Sequence, residues 1–334
     1  MAKKIKDTDY LVISARVRAM ENQLLTRERM EQVLEARSDE EAAKLLQECG
    51  YPELDPTHPE AMDAALSAAR EATLADLADT APDARYIDIF KLKYDYHNVK
   101  ALLKARAMDT DAGRMLMDMG RVPAAELKEA LESGQLEELP PCLAAAAAEA
   151  KEVLDTTRDP QLSDLVLDRS CYRDLLETAQ ATGSAFLKGY VQIQIDAANL
   201  RALVRTLRIG KNADFLRGVL FPGGTVEEGA ILKVSAEGGA GLQDLYGSTP
   251  LAAAAEAGGE ILKGGAMTEF EKRCDDAVGD YLAGARAVPF GEAPLLGYLA
   301  ARETEYTNLR ILLLGRSAGL PPELIRARLR RSYV

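Results

Sequence analysis

The sequence predicts an all-α protein made of three similar helical units, and three observations carry that expectation. Only 5% of the 334 residues are aromatic and Trp is absent, whereas the chain is 47% apolar and dominated by Ala, Leu, Glu, Lys and Arg, as helix-rich chains are. One short amphipathic stretch is written three times, as DYHNVKALLKA at Asp95–Ala105, IDAANLRALVRT at Ile195–Thr206 and ETEYTNLRILLLG at Glu303–Gly315. The length is that of two or three domains rather than one.

From the N-terminus, MAKKIKDTDY opens with lysines but runs into charged, amphipathic sequence without the apolar centre of a signal peptide, so no targeting segment is expected. LLTRERMEQVL at Leu24–Leu34 starts a helix. Similar starts follow at Met119–Leu131 (MGRVPAAELKEAL) and Pro222–Leu232 (PGGTVEEGAIL), where Gly, then Pro or Thr, then Glu mark a helix opening. Leu25, Val122 and Thr225 in these starts lie 73, 77 and 83 residues before Asn98, Asn199 and Asn308 of the repeated stretch. The chain accordingly divides into units 1–119, 120–221 and 222–334. A long amphipathic segment precedes the repeated helix in each unit, as at Leu162–Thr178, where Leu162, Leu165, Val166, Leu175 and Leu176 recur at helical spacing. Lys233–Ala266 is the exception, and its glycines predict the loosest part of the fold, a mobile or poorly ordered connection.

Each repeated helix carries an acid three residues before an Asn, an aliphatic after it, a base at +2 and aliphatics at +4 and +5. These are Asp95, Asn98, Val99, Lys100, Leu102 and Leu103; Asp196, Asn199, Leu200, Arg201, Leu203 and Val204; and Glu305, Asn308, Leu309, Arg310, Leu312 and Leu313. On a helical wheel the acid falls at about 60° from the Asn and the aliphatics at about 100°, 40° and 140°. Acid and amide therefore lie inside the apolar stripe, and the base, at about 200°, flanks it. A polar group on a buried face costs about 1–3 kcal/mol unless it finds a hydrogen-bond partner. The acid and Asn are thus expected to tie the helix to a neighbouring helix end or loop, a fold unit copied three times rather than three identical active sites.

The formal charge of −12 argues against nucleic acid and against an anionic lipid surface, both of which select clustered Lys and Arg. Cys49, Cys142, Cys171 and Cys274 are far apart with no CxxC pair, as expected in a reducing compartment. The longest apolar runs fall far short of a bilayer span, so no membrane anchor is expected.

Motifs that might carry chemistry are poorly supported. GRSAG at Gly315–Gly319 matches GxSxG, but a helix precedes it and both histidines, His58 and His97, lie upstream, so a C-cap glycine is expected there. CDDAVGD places Asp275, Asp276 and Asp280 near the spacing of an all-α magnesium-dependent diphosphate enzyme, without a second acid-rich helix to face them. The glycine clusters form neither a P-loop nor a GxGxxG fingerprint, and two isolated histidines give no zinc spacing. No cofactor or metal is expected. Between Arg302 and Val334 seven arginines stand against three glutamates, which is ordinary for a solvated helix end, where bases are favoured; as a partner contact, with Arg326, Arg328, Arg330 and Arg331 the candidates, they need an acidic counterpart that the rest of this chain or another subunit could provide.

The three signatures, together with LVISARVRAMENQLLTRERMEQVL at Leu11–Leu34, RSCYRDLLETA ahead of FLKGYVQIQIDAANLRALVR, and Phe290–Val334 at the C-terminus, resemble the C subunit of the prokaryotic V-type (A-type) ATPases, a relative of the d subunit of eukaryotic V-ATPases. The likeness covers essentially the whole chain. It implies three helical domains around a pseudo-threefold axis, forming a funnel on the cytoplasmic face of a bacterial or archaeal cell membrane. It also implies a non-catalytic rotor part that seats on the proteolipid ring, receives the central shaft made of the D and F subunits, and passes rotation between ATP chemistry and H+ or Na+ transport. A cytosolic all-α scaffold with an unrelated partner, or the magnesium enzyme, are the alternatives.

Overall fold

The computed structural model describes residues 5–52, 54–55 and 57–334, without the side chain of Asp7. Among them there are sixteen α-helices and no strand. In chain order these are α1 (Leu11–Glu21), α2 (Arg27–Glu35), α3 (Asp39–Glu48), α4 (Pro59–Ala78), α5 (Arg85–Ala107), α6 (Ala124–Ser133), α7 (Pro141–Thr157) and α8 (Pro160–Thr182). They continue as α9 (Ala185–Arg208), α10 (Ala213–Val219), α11 (Glu228–Ala236), α12 (Leu242–Tyr246), α13 (Ala252–Leu262), α14 (Met267–Ala283), α15 (Glu292–Ser317) and α16 (Pro322–Arg328). Contacts group the chain into two compact bodies, one formed by Met1–Asp83, Asp196–Arg217 and Val226–Val334, the other by Ala84–Ile195 and Gly218–Thr225.

The body of Ala84–Ile195 is built on the repeated helix α5. Leu92, Val99, Leu127, Leu143, Leu167, Leu187 and Val191 have no exposed surface and form its core. On α7 the small side chains of Ala146, Ala147 and Ala150 are fully buried, which lets a neighbouring helix come close. Ser163 uses that approach, its Oγ donating to the Ala150 carbonyl at 3.0 Å. The turn between α7 and α8 needs only two residues: Arg158 takes φ 57° after α7, and the Asp159 side chain caps α8 by accepting from Gln161 N, with Pro160 in the first turn.

In the other body the N-terminal helices close on the C-terminal ones. Leu25, Met30, Val33, Leu34, Leu46, Met62 and Leu66 share a core with Tyr306, Leu309, Leu312 and Leu313 of α15 and Ile325 of α16. Thr26 and Ser38 cap α2 and α3 by accepting from Arg29 N and Glu41 N. Gly315 is glycine for a packing reason: a Cβ there would stand 2.8 Å from Ile325 Cγ1, so only a bare backbone lets α16 lie against α15.

The segment Lys233–Ala266, expected to be loose, is helical. It contains the end of α11 and the whole of α12 and α13, and Leu242, Tyr246, Leu251, Ala254, Ala255 and Ile261 are buried. Two of its glycines serve close contact, and others, such as Gly238 and Gly264, take left-handed turns between helices. A Cβ on Gly258 would meet Val204 Cγ2 at 2.9 Å, and one on Gly239 would meet Leu262 Cδ1 at 2.7 Å.

The repeat continues past the signature itself. Eleven residues beyond each Asn the chain turns left-handed, at Asp109 (φ 51°), Gly210 (φ 68°) and Gly319 (φ 66°). The following amide then bonds back across the last turn, Thr110 N to Ala105 O at 2.9 Å, Lys211 N to Thr206 O at 3.0 Å and Leu320 N to Gly315 O at 3.0 Å. The three helices thus end in the same Schellman motif, and Gly319 of GRSAG is its cap. Two copies place glycine where a Cβ is strained and one does not. Asp109→Gly is therefore expected to stabilise the chain by about 0.5–1 kcal/mol, read as a higher urea midpoint at unchanged m.

Candidate functional site

The buried acid of each copy accepts from the backbone just ahead of a helix start, and the amides of the first and third copies pair with one backbone residue each. In the first copy Asp95 and Asn98 have no exposed surface. Asp95 Oδ1 accepts from the backbone amides of Arg121 at 2.8 Å and Val122 at 3.2 Å, and Oδ2 accepts from Arg121 Nε at 2.7 Å. Arg121 Nη2 also reaches Asp174 at 3.0 Å, and that carboxylate accepts from Tyr96 OH at 3.2 Å. Asn98 works in both directions on one residue, donating to Met117 O at 2.8 Å and accepting from Met117 N at 2.9 Å. Between these contacts sits Gly120, where any Cβ would overlap Asp95 Oδ1.

The third copy repeats the arrangement between the chain's two ends. Glu305 accepts from Leu25 N at 2.5 Å and from Tyr51 OH and Arg302 Nη1. Arg302 also donates to Tyr306 OH at 2.9 Å, and its guanidinium lies over the rings of Tyr51 and Tyr306. Asn308 donates to Arg330 O at 3.0 Å and accepts from Arg330 N at 2.8 Å, the same two-way pairing that Asn98 makes with Met117. In the second copy Asp196, 3% exposed, accepts from Val226 N at 3.1 Å, and Asn199 is buried beside it.

The base at +2 also plays one part three times, reaching an acid on the helix packed alongside. Lys100 bonds Asp168 of α8 at 2.5 Å, Arg201 bonds Glu271 of α14 at 2.7 Å and Asp275 at 2.5 Å, and Arg310 bonds Asp63 of α4 at 2.7 Å. Burial acts to raise the Glu271 carboxyl, but hydrogen bonds from Arg201 and Arg205 overcome it and hold it below the usual range. For Asp95 and Glu305 burial prevails, and both carboxyls rise despite their cations and amide donors.

Of the two sources of an acidic counterpart for the tail arginines, the chain itself supplies it for most of them. Arg326 bonds Glu31 at 2.7 Å, Arg330 bonds Asp275 at 2.7 Å and Arg331 bonds Asp280 at 2.6 Å, so the acidic counterpart is this chain's own. Arg328 is exposed and makes no ion pair among the described residues. Asp275, Asp276 and Asp280 are consumed in the same network, with Asp276 Oδ1 accepting from Arg331 N at 2.7 Å. Among the described residues no group of His, Cys, Asp or Glu is placed to hold a metal ion.

Sequence periodicity locates the acid, Asn and base of each copy but misses the cations that neutralise the buried acids. Arg121 comes from the following loop in the first copy, whereas Arg302 comes from the same helix in the third. The positions matching Arg302 in the other copies are Leu92 and Ile193, so comparing the repeats gives no signal for it.

The described residues form an all-helical protein in which one helix motif recurs three times and is closed by buried polar ties. Residues 13–328 match the family described as ATP synthase (C/AC39) subunit, and the chain belongs to that family. It is 24% identical to the C subunit of the V-type sodium ATPase of Enterococcus hirae over 332 residues, which cover 97% of this chain and 99% of the relative. It is 26% identical to the C subunit of the A-type ATP synthase of Methanocaldococcus jannaschii, covering 95% and 85%, and 26% identical to that of Thermococcus kodakarensis, covering 96% and 90%. It is a non-catalytic, structural member of this family.

Asn98→Ala and Asn308→Ala should each lower stability by about 1–2 kcal/mol, because each strands a backbone N–H and C=O, and urea unfolding checks this. Gly120→Ala should cost about 1–3 kcal/mol by forcing Asp95 off its donors. Glu271 has a depressed folded pKa, so its contribution is present above its unfolded pKa and lost as pH falls through the folded one. Glu271→Gln should therefore cost about 0.5–1 kcal/mol at neutral pH, and the gap to the parent should close as pH falls below the ordinary carboxylate range, measured by denaturation across pH. Asp95 and Glu305, with raised pKa values, act in the opposite sense, since proton uptake there favours the folded state.

Proposed function

We propose that the chain is a rotor component of a V/A-type ATPase, a cap between the central shaft and the membrane proteolipid ring that passes rotation in either direction of ATP chemistry. The observation that carries the reading is the match of residues 13–328 to the ATP synthase (C/AC39) subunit family, with near full-length similarity to proteins named as C subunits of such machines. The three copies of the acid–Asn–base tie support a torque-bearing role, since such a spacer needs stiff helices, and saturated buried polar contacts resist sliding and rotation of a helix.

In this reading the sequence units 1–119, 120–221 and 222–334 stand around a pseudo-threefold axis, as a funnel on the cytoplasmic face of a bacterial or archaeal membrane. No helix among the described residues is long and apolar enough to cross a membrane, which fits a peripheral position held by protein partners. The partners are the proteolipid ring and the D and F subunits of the shaft. The chain around and just after the Schellman caps supplies exposed apolar side chains for them, Met108 and Met115, then Ile209 and, in α10, Phe215, then Leu324 of α16. Among the tail arginines, Arg328 is the one whose charge is available to a partner, and Arg326, Arg330 and Arg331 would have to share theirs with the acids they already hold.

Purification of the tagged chain from its native membranes in mild detergent, with copurifying proteins identified by mass, tests the reading. Proteolipid and shaft proteins are the expected companions. Recovery alone, or with unrelated soluble proteins, would leave a generic helical scaffold.

A further inference from the structure

A groove of about 430 Å³ opens between the start of α2, the outer face of α14 and the C-terminal segment after α16. Its size is that of a binding site for a few side chains. Six of its lining residues are basic, Arg27, Lys272, Arg273, Arg326, Arg330 and Arg331, in a chain whose net charge is −12. The acids that line it are already engaged. Glu31 is held by Arg326, Asp280 by Arg331 and Glu269 by Arg273, while Asp276 accepts from the backbone of Arg331. Arg330 is bound by Asp275.

Arg27 and Lys272 are left over. Neither makes an ion pair among the described residues, and each acts on a lining acid only through its field, Arg27 on Glu31 and Lys272 on Asp276. They stand on different helices, α2 and α14, and Met30, Ala277 and Leu329 are among the apolar residues that line the groove with them. A small phosphate-like anion is best held by donors converging on one point. Two cations on separate walls of a partly apolar groove suit a longer ligand that carries carboxylates and small apolar side chains along its length.

We infer that this groove docks an acidic segment of a partner protein, with Arg27 and Lys272 as the charges that select it. The inference goes beyond the rotary reading and does not depend on it, because it concerns a surface that the isolated chain already presents. Electrostatic complementarity of this kind sets partner choice and association rate more than total affinity.

The test uses the full-length chain and a fluorescein-labelled peptide of repeated Glu-Ala-Leu triplets, with the Lys-Ala-Leu counterpart as control, followed by anisotropy at low and at physiological salt. The acidic peptide should bind, more weakly as salt screens the contact, and the basic one should not. Arg27→Glu/Lys272→Glu should weaken binding about tenfold or more, and Arg27→Gln/Lys272→Gln should weaken it in the same direction. Thermal melts of the Gln variant that match the parent keep the loss assignable to the groove should the Glu variant misfold. Equal binding by the Gln variant and the parent would overturn the inference, as would equal binding of both peptides. Displacement of the acidic peptide by equimolar inorganic phosphate would overturn it too, identifying a small-anion site instead.

Discussion

A carboxylate buried on the apolar face of a helix has to be saturated, and much of this structure follows from how that is done. Glu305 is 3% exposed in the middle of α15, and it is saturated by an amide from Leu25, a phenol from Tyr51 and a guanidinium from Arg302. Those donors fix where the chain enters α2 and where the loop after α3 lies. Once they are placed, the apolar side chains of α2, α3 and α4 have little choice but to cover Leu309, Leu312 and Leu313. Asp95 does the same to the loop before α6, and Asp196 to the loop before α11. The hydrophobic surfaces supply most of the stabilisation, and the polar ties decide which register uses it.

The ties also account for residues that look unremarkable in the sequence. Gly120 lies in a loop with no unusual φ value, yet it is the point at which the backbone approaches Asp95 too closely for a side chain. Asn98 and Asn308 each act as a substitute peptide unit, offering one donor and one acceptor to a neighbouring backbone residue. An aspartate cannot do this, because it lacks the donor, and a glutamine would place the amide one carbon too far along.

The repeated helices are legible in the sequence because period and polarity coincide. An acid and an amide inside an apolar stripe stand out against any ordinary amphipathic pattern, and three copies remove the element of chance. The cations that complete Asp95 and Glu305 are not legible, since Arg121 and Arg302 occupy unrelated positions and answer to space rather than to sequence order. The glycines of Lys233–Ala266 mislead for a related reason. Composition cannot separate a glycine that loosens a chain from one that lets two helices touch, as Gly258 does against Val204 and Phe270. Which acids of the chain answer the tail arginines is not legible either, because the partners, Glu31, Asp275 and Asp280, lie 50 or more residues away in the sequence.

The core that joins α2–α4 to α15 has a consequence for synthesis. Residues up to Asp83 leave the ribosome long before Leu309, Leu312 and Leu313 exist, so the earliest part of the chain must wait with its apolar faces uncovered. Ala84–Ile195, by contrast, is nearly contiguous in its own body and holds its main contacts within about a hundred residues. The order of folding is therefore the reverse of the order of translation for the first helices: the middle closes while the N-terminal segment is still a nascent, uncovered run of helices. During that interval the exposed apolar surface is made of residues that in the finished protein are among its best buried, and uncovered surface of that kind favours aggregation.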